Sequence, residues 1–182
     1  MLDIGTFMME QHTRINEAGL ESYPKGPMVL GNLVMVLWFI LGAAACWFFY
    51  PLLGAIYFIA AVLLVYVLLR KLVCPNCYYY DKWCGLGWGK LSAKMFKKGT
   101  IDDFPKSIGL RLAPAVYGAL MIVPMIVIVV SLIQGFSWYK IVVLALLLLV
   151  SFYSGGVGRR AACSRCKMNV ICPGSAVKNK EK

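Results

Sequence analysis

Six cysteines fall into two spaced groups: Cys74, Cys77 and Cys84 in a C-x2-C-x6-C pattern, and Cys163, Cys166 and Cys172 in a C-x2-C-x5-C pattern. A C-x-x-C turn lets two thiolates grip one ion at about 2.3 Å from each sulfur, and two such turns complete the tetrahedral four-thiolate shell that zinc prefers. Cys74, Cys77, Cys163 and Cys166 are therefore the expected zinc ligands, with Cys84 and Cys172 as candidate additional ones. Four thiolates also suit an iron–sulfur cluster, and ligand softness alone does not separate the two. A redox-active dithiol is a third use of such a pair. Ordinary zinc sites of this type separate their two turns by about 15 to 20 residues. Here a long loop and two apolar segments intervene, so the turns can share an ion only if the elements carrying them bring them together.

Those elements are apolar. The 182 residues are 60% hydrophobic and 15% charged, with a mean hydropathy of +0.73, which excludes an ordinary soluble domain. From Gly26 to Leu69 there are 44 residues without a charge, enough at about 1.5 Å per helical residue to cross a hydrocarbon core of about 30 Å twice. Proline lacks the N–H that an unbroken helix uses, so Tyr50-Pro51 is the expected turn. Leu112 to Tyr139 and Ile141 to Gly158 are also uncharged, with Lys140 between them. The fold expected is an all-α polytopic membrane protein with four transmembrane helices near 28–49, 52–70, 113–133 and 139–156, arranged as two hairpins. The corresponding divisions are an amphipathic N-terminal segment (1–26), hairpin 1 (27–70), a Cys-rich basic loop (71–111), hairpin 2 (112–158) and a Cys-rich basic tail (159–182).

An even number of spans returns the loop, the tail and the amino-terminal segment to one face. Of 19 Lys and Arg, nine lie between Arg70 and Arg111 and seven in the tail. The positive-inside rule makes that face, and both termini, cytoplasmic. The net charge of +11 then orients the chain and attracts anionic headgroups; with no recognisable nucleic-acid motif, nucleic-acid binding is not expected. Reducing couples on that face disfavour structural disulfides. Each cysteine group follows a basic pair, Arg70-Lys71 or Arg159-Arg160, and precedes a glycine, Gly85 or Gly174, so the chain reads as a diverged tandem repeat. Each C-x-x-C turn resembles the knuckles of zinc ribbons and rubredoxins over about four residues, a likeness that implies a metal-gripping turn and no activity.

Catalytic constellations are lacking. The single histidine, His12, has no partner nearby in sequence and no G-x-S-x-G elbow accompanies it. The stretch CGLGWGKLS misses the phosphate-loop pattern, with Cys84 where glycine is required and Leu91 where Ser or Thr is required. The spans hold few polar groups, chiefly Asn32, Ser131 and Ser151, and no acid or base for a proton or ion path. Cys46 reads as a small apolar packer. Trp88, Leu91 and Met95 alternate with Lys90, Lys94, Lys97 and Lys98 as in a basic amphipathic interfacial helix stopped by Gly99. Asp102 and Asp103 suit a helix start, with Phe104, Ile108 and Leu112 on one side. Tyr78, Tyr79, Tyr80, Trp83 and Trp88 read as an interfacial aromatic belt. The stripe Ile4, Phe7, Met8 and Ile15 suits lipid or another subunit. Gly42, Ala43, Gly118 and Gly155 suit close helix contacts.

The function expected is that of a non-catalytic integral membrane subunit or docking module of a larger complex, held together by a cytoplasmic four-cysteine zinc site. The second expectation is a membrane redox subunit whose iron–sulfur cluster or dithiol exchanges electrons with a quinone. A lipid-modifying enzyme using the basic face is a third, without a catalytic constellation to carry it.

Overall fold

In the computed structural model, residues 15–177 are described. His12 and most of the amino-terminal stripe lie outside them. The described residues form helices and no strands, and four helices are long and apolar enough to cross a membrane: α1 (Lys25–Trp47), α2 (Pro51–Asn76), α4 (Ile108–Gln134) and α5 (Trp138–Ser164). A shorter helix, α3 (Trp88–Met95), lies between α2 and α4. In hydrocarbon every backbone N–H and C=O must be satisfied within the segment, so long uncharged runs become helices. Pro51 occupies the first turn of α2 after an extended Tyr50, where its missing N–H costs nothing.

Three of the four helices run further than their apolar cores suggest. α2 continues through Arg70 and Lys71 and closes in a 3₁₀ turn over Cys74–Asn76. α5 continues through Arg159 to Ser164, and α4 starts at Ile108 rather than near 113. α3 is shorter than expected, because Phe96 is already extended and Lys97 and Lys98 lie beyond the helix. Asp102 and Asp103 form only a 3₁₀ turn, with Thr100 Oγ1 donating to Asp103 Oδ2. Of the three apolar residues that follow, Phe104 is buried while Ile108 and Leu112 are exposed.

The bundle core joins Trp38, Phe39, Leu41 and Cys46 of α1 to Tyr57, Ala61 and Val65 of α2, Leu120 of α4 and Leu147 of α5. Cys46 is fully buried there, as an apolar packer should be. α1 is central: it packs on α2, α4 and α5. Gly42 meets the Tyr57 ring so closely that a Cβ would collide with it, which lets the Tyr57 hydroxyl donate across the bundle to the Leu120 carbonyl at 2.6 Å. Gly118 and Gly155, by contrast, have open space around them. At the end of the bundle away from the cysteines, Lys140 is buried and its Nζ donates to the carbonyls of Ser131 (2.8 Å) and Gly135 (2.9 Å). A cation thus satisfies the last carbonyls of α4, where the helix dipole favours positive charge.

Candidate metal centre

Both C-x-x-C turns lie where a long helix runs out. Six-residue π-helical segments, Leu63–Leu68 in α2 and Tyr153–Gly158 in α5, precede the basic pairs, and one more helical turn delivers Cys74 or Cys163. Cys77 N–H then donates to the Cys74 carbonyl (3.2 Å) and Cys166 N–H to the Cys163 carbonyl (3.1 Å). The next turn repeats as well, from Tyr80 N–H to Cys77 (3.0 Å) and from Asn169 N–H to Cys166 (3.3 Å). At the third cysteine, Gly87 N–H donates to Cys84 (2.8 Å) and Ser175 N–H to Cys172 (3.1 Å). All three cysteine positions therefore share their backbone turns between the halves, although the surrounding side chains differ.

The amide N–H two residues on eases the thiol of Cys77 (Tyr79), Cys166 (Met168) and Cys172 (Gly174) toward its charged form. Such donors favour a thiolate. Burial works against it: Cys77 is pushed well above the usual thiol range, first by desolvation and then by neighbouring Cys74, Cys84 and Cys166, with the Tyr79 amide opposing. Cys166 is raised by burial, eased by the Met168 amide and raised further by Cys163 and Cys172. Cys172 is raised by burial, with the Gly174 amide and Arg159 opposing. A reactive dithiol needs the opposite, an exposed thiol with a lowered pKa.

The two knuckles share one buried cluster. Tyr23, Tyr79, Phe104 and Met168 form its centre, and Cys77, Cys84, Cys166 and Cys172 pack against it. Tyr79 and Met168 hold the same place in each unit, two residues after the second cysteine. The tyrosines near the first knuckle therefore are not simply an interfacial belt. Tyr79 is only 3% exposed, and its hydroxyl donates to the Leu20 carbonyl (2.6 Å) while accepting from Lys167 N–H (3.1 Å). Tyr80 donates to the Phe96 carbonyl at 2.8 Å. This end of the protein needs its own apolar core because the bundle core stops before it.

A contribution invisible in the sequence comes from the segment just before α1. Asn16 N–H donates to the Lys167 carbonyl and Leu20 N–H to the Arg165 carbonyl (2.9 Å each), while Tyr23 N–H donates to the Trp83 carbonyl (2.8 Å). Tyr23 then hydrogen-bonds through its hydroxyl to the Ala162 carbonyl (2.7 Å) and lies beside Cys166 and Cys163. Residues 16–23 thus stitch the second knuckle to the first. Tyr78 adds another link, with Lys82 (4.1 Å) from its own unit and Lys167 (5.2 Å) from the other over its ring. Tyr23 is the one aromatic of residues 16–23, and nothing in that polar stretch marks it as a partner of the cysteine turns. Gly19 abuts the Lys167 backbone with no room for a side chain.

Cys74 and Cys77 therefore stand at the same end of the bundle as Cys163 and Cys166, with Cys77 and Cys166 as neighbours. All six knuckle cysteines are free thiols. Among the described residues, no group of three or more Cys, His, Asp or Glu is arranged to hold a metal ion as it stands. The expected four sulfurs are gathered by element and not drawn into one shell. Compared with known protein families, with curated proteins and with solved structures, the chain matches none.

Proposed function

We propose that the chain is a non-catalytic integral membrane subunit whose two cysteine knuckles are joined by a bound metal, zinc held by Cys74, Cys77, Cys163 and Cys166. The observation that carries this reading is the repeated C-x-x-C turn at both helix ends, with Cys77 and Cys166 packed against one shared cluster. Burial makes a thiolate's charge costly there unless a cation balances it. Binding would draw the thiolates inward from their present positions and displace their protons. Its free energy would then lock α2 to α5 and add to folding stability.

In this reading the four long helices cross the bilayer as two hairpins and the knuckles face the cytoplasm, following the basic loop and tail. The lysines of α3 and its neighbours would meet anionic headgroups, with Leu91 and Met95 exposed for the apolar boundary. The outward apolar surface of α5, including Phe152 and Val157, would meet lipid or a neighbouring subunit. Cys84 and Cys172 support the ligating turns from the third cysteine position.

Elemental analysis of protein purified anaerobically in mild detergent tests the reading. About one zinc per chain is expected, with loss of most of it in Cys77→Ser or Cys166→Ser. Brown protein containing iron and sulfide would replace zinc by a cluster and favour the redox reading. Metal-free protein whose thiols exchange with thioredoxin would overturn both in favour of a dithiol.

A further inference from the structure

We infer that α3 is a latch set by anionic phospholipid: Lys90, Lys94, Lys97 and Lys98 engage net-negative headgroups of the adjoining leaflet, and that contact holds the loop from Cys84 to Gly99 down over the first C-x-x-C turn. The inference rests on the membrane reading above, not on the metal, and adds a regulation to it. The 44 residues from Gly26 to Leu69 hold no charge, and three of them seat the start of the latch. Asn32 of α1 donates through Nδ2 to the Leu86 carbonyl (2.9 Å). Met28 leaves no room for a Cβ on Gly87, and the Trp88 ring stacks on Tyr66 with centroids 4.9 Å apart. Trp88 also meets Arg70, the first charge after the apolar run, with the guanidinium carbon 5.8 Å from the ring centroid. α3 therefore starts at the level where hydrocarbon gives way to headgroups.

What α3 shows at that level fits a charged bilayer surface. Gly89 and Ser92 are buried on its inner side, where Gly89 faces the carbonyls of Tyr79 and Lys82. Leu91 (40% exposed) and Met95 (57%) stand four residues apart on one open strip, and Lys90, Lys94, Lys97 and Lys98 are exposed as well. Residues 82–101 carry five lysines and no acid. Among the described residues no carboxylate lies within ion-pair distance of these lysines. Lys90 Nζ sits 5.1 Å from the Trp83 ring centroid, a contact that positions the cation without neutralising it. Clustered lysines next to an exposed apolar strip suit a lipid anion. A soluble anion would meet the charge and leave Leu91 and Met95 in water.

Both ends of α3 are tied to the first cysteine turn. Asp81 N–H donates to the Gly89 carbonyl and Gly99 N–H to the Pro75 carbonyl (3.0 Å each), while the Tyr80 hydroxyl donates to the Phe96 carbonyl (2.8 Å). Pro75 lies between Cys74 and Cys77, so lifting α3 frees the backbone of the turn itself. With eight residues, α3 is too short to hold its helix alone in water. Its closed state depends on what it rests against, and a headgroup layer that binds only the closed state stabilises it by mass action.

Amide exchange of the full-length protein in lipid nanodiscs, read by mass spectrometry, provides the test. Replacing about a third of the phosphatidylcholine by phosphatidylglycerol should slow exchange across residues 86–96 about tenfold. Raising the salt to about 0.5 M should remove most of that slowing. Substituting Lys90→Gln, Lys94→Gln, Lys97→Gln and Lys98→Gln together should abolish the lipid dependence and leave exchange in neutral discs as in the wild type. Equal exchange in neutral and anionic discs, or a lipid dependence that survives the four substitutions, overturns the inference while the membrane reading stands. Inorganic phosphate added to neutral discs should not reproduce the slowing; if it does, the lysines take a free anion and the inference fails. Protein that enters discs of neither composition overturns the membrane reading itself. Should the fourfold variant not fold, Lys94→Gln with Lys98→Gln takes its place, and an undiminished slowing there overturns the inference.

Discussion

Trp88 lies stacked on Tyr66, ring centroids 4.9 Å apart, and so covers the π-helical segment of α2; the matching segment of α5 leaves Gly155 and Gly156 in open space. The two halves share their knuckle turns but not their support. In the first half, the loop after Cys84 turns back through Gly87, whose φ of +74° suits glycine, and lays α3 against the knuckle. Asn32 of α1 donates to the Leu86 carbonyl at 2.9 Å to hold that loop. A third of the first span's apolar window is buried inside the protein, against 6% for the fourth. The comparison teaches that a repeated ligating turn needs only a helix end and a few backbone bonds, whereas a protected site needs additional chain folded over it.

The largest test of that asymmetry is Gly89→Ala. Gly89 faces the carbonyl oxygens of Tyr79 and Lys82 with no space for a Cβ, and Asp81 N–H donates to its carbonyl at 3.0 Å. Because the clash is with backbone, a loss of about 3 kcal/mol or more is expected, read by thermal unfolding in detergent. Gly155→Ala, in the uncovered half, should change the midpoint by less than about 0.5 kcal/mol equivalent. Equal losses would erase the distinction between the halves.

Trp88→Ala comes next. It removes the stacking on Tyr66 and the cover over Arg70, for an expected cost of about 2 to 3 kcal/mol, while Phe152→Ala at a 75% exposed site should cost well under about 1 kcal/mol in detergent. Differential scanning of the two variants under one condition decides it. If Phe152→Ala proves as damaging as Trp88→Ala, the second half has a partner surface within the chain that its packing does not reveal.

Tyr79→Phe probes the joint between the units. It deletes the hydroxyl bonded to Leu20 and Lys167, at an expected cost of about 1 to 2 kcal/mol. Amide exchange should then quicken at Leu20 and Lys167 together; quickening at only one of them would deny that Tyr79 couples the segments. The smallest effect belongs to Ser92→Ala. Ser92 is 1% exposed and its hydroxyl has no hydrogen-bond partner, so removing it should leave stability unchanged or raise it by up to about 1 kcal/mol. A clear loss would mean that the hydroxyl is satisfied in solution.

Four apolar helices were legible because hydrocarbon solvation acts over consecutive residues, and C-x-x-C spacing marked the backbone turns at two of their ends. Uncharged runs must become helices in lipid whatever packs beside them, and residues three apart sit on one turn wherever a helix ends. Helix ends were less legible. Arg70 and Arg159 mark where charge begins, but a helix can carry charge beyond the hydrocarbon, so α2 and α5 continue to their cysteines. The amino-terminal stitch was not legible at all, because Asn16, Leu20 and Tyr23 act mainly through backbone groups that carry no residue-specific signal.

The residue order by itself determined the membrane-compatible helices, the repeated turns and the arginine one turn ahead of each knuckle, since each depends on near neighbours in the chain. Only the tertiary structure decided that Cys77 neighbours Cys166, that Tyr79 is core and not belt, and that, among the described residues, one half is covered while the other is open. Those outcomes depend on contacts between residues dozens of positions apart, where packing of whole helices, and not local propensity, selects the partner.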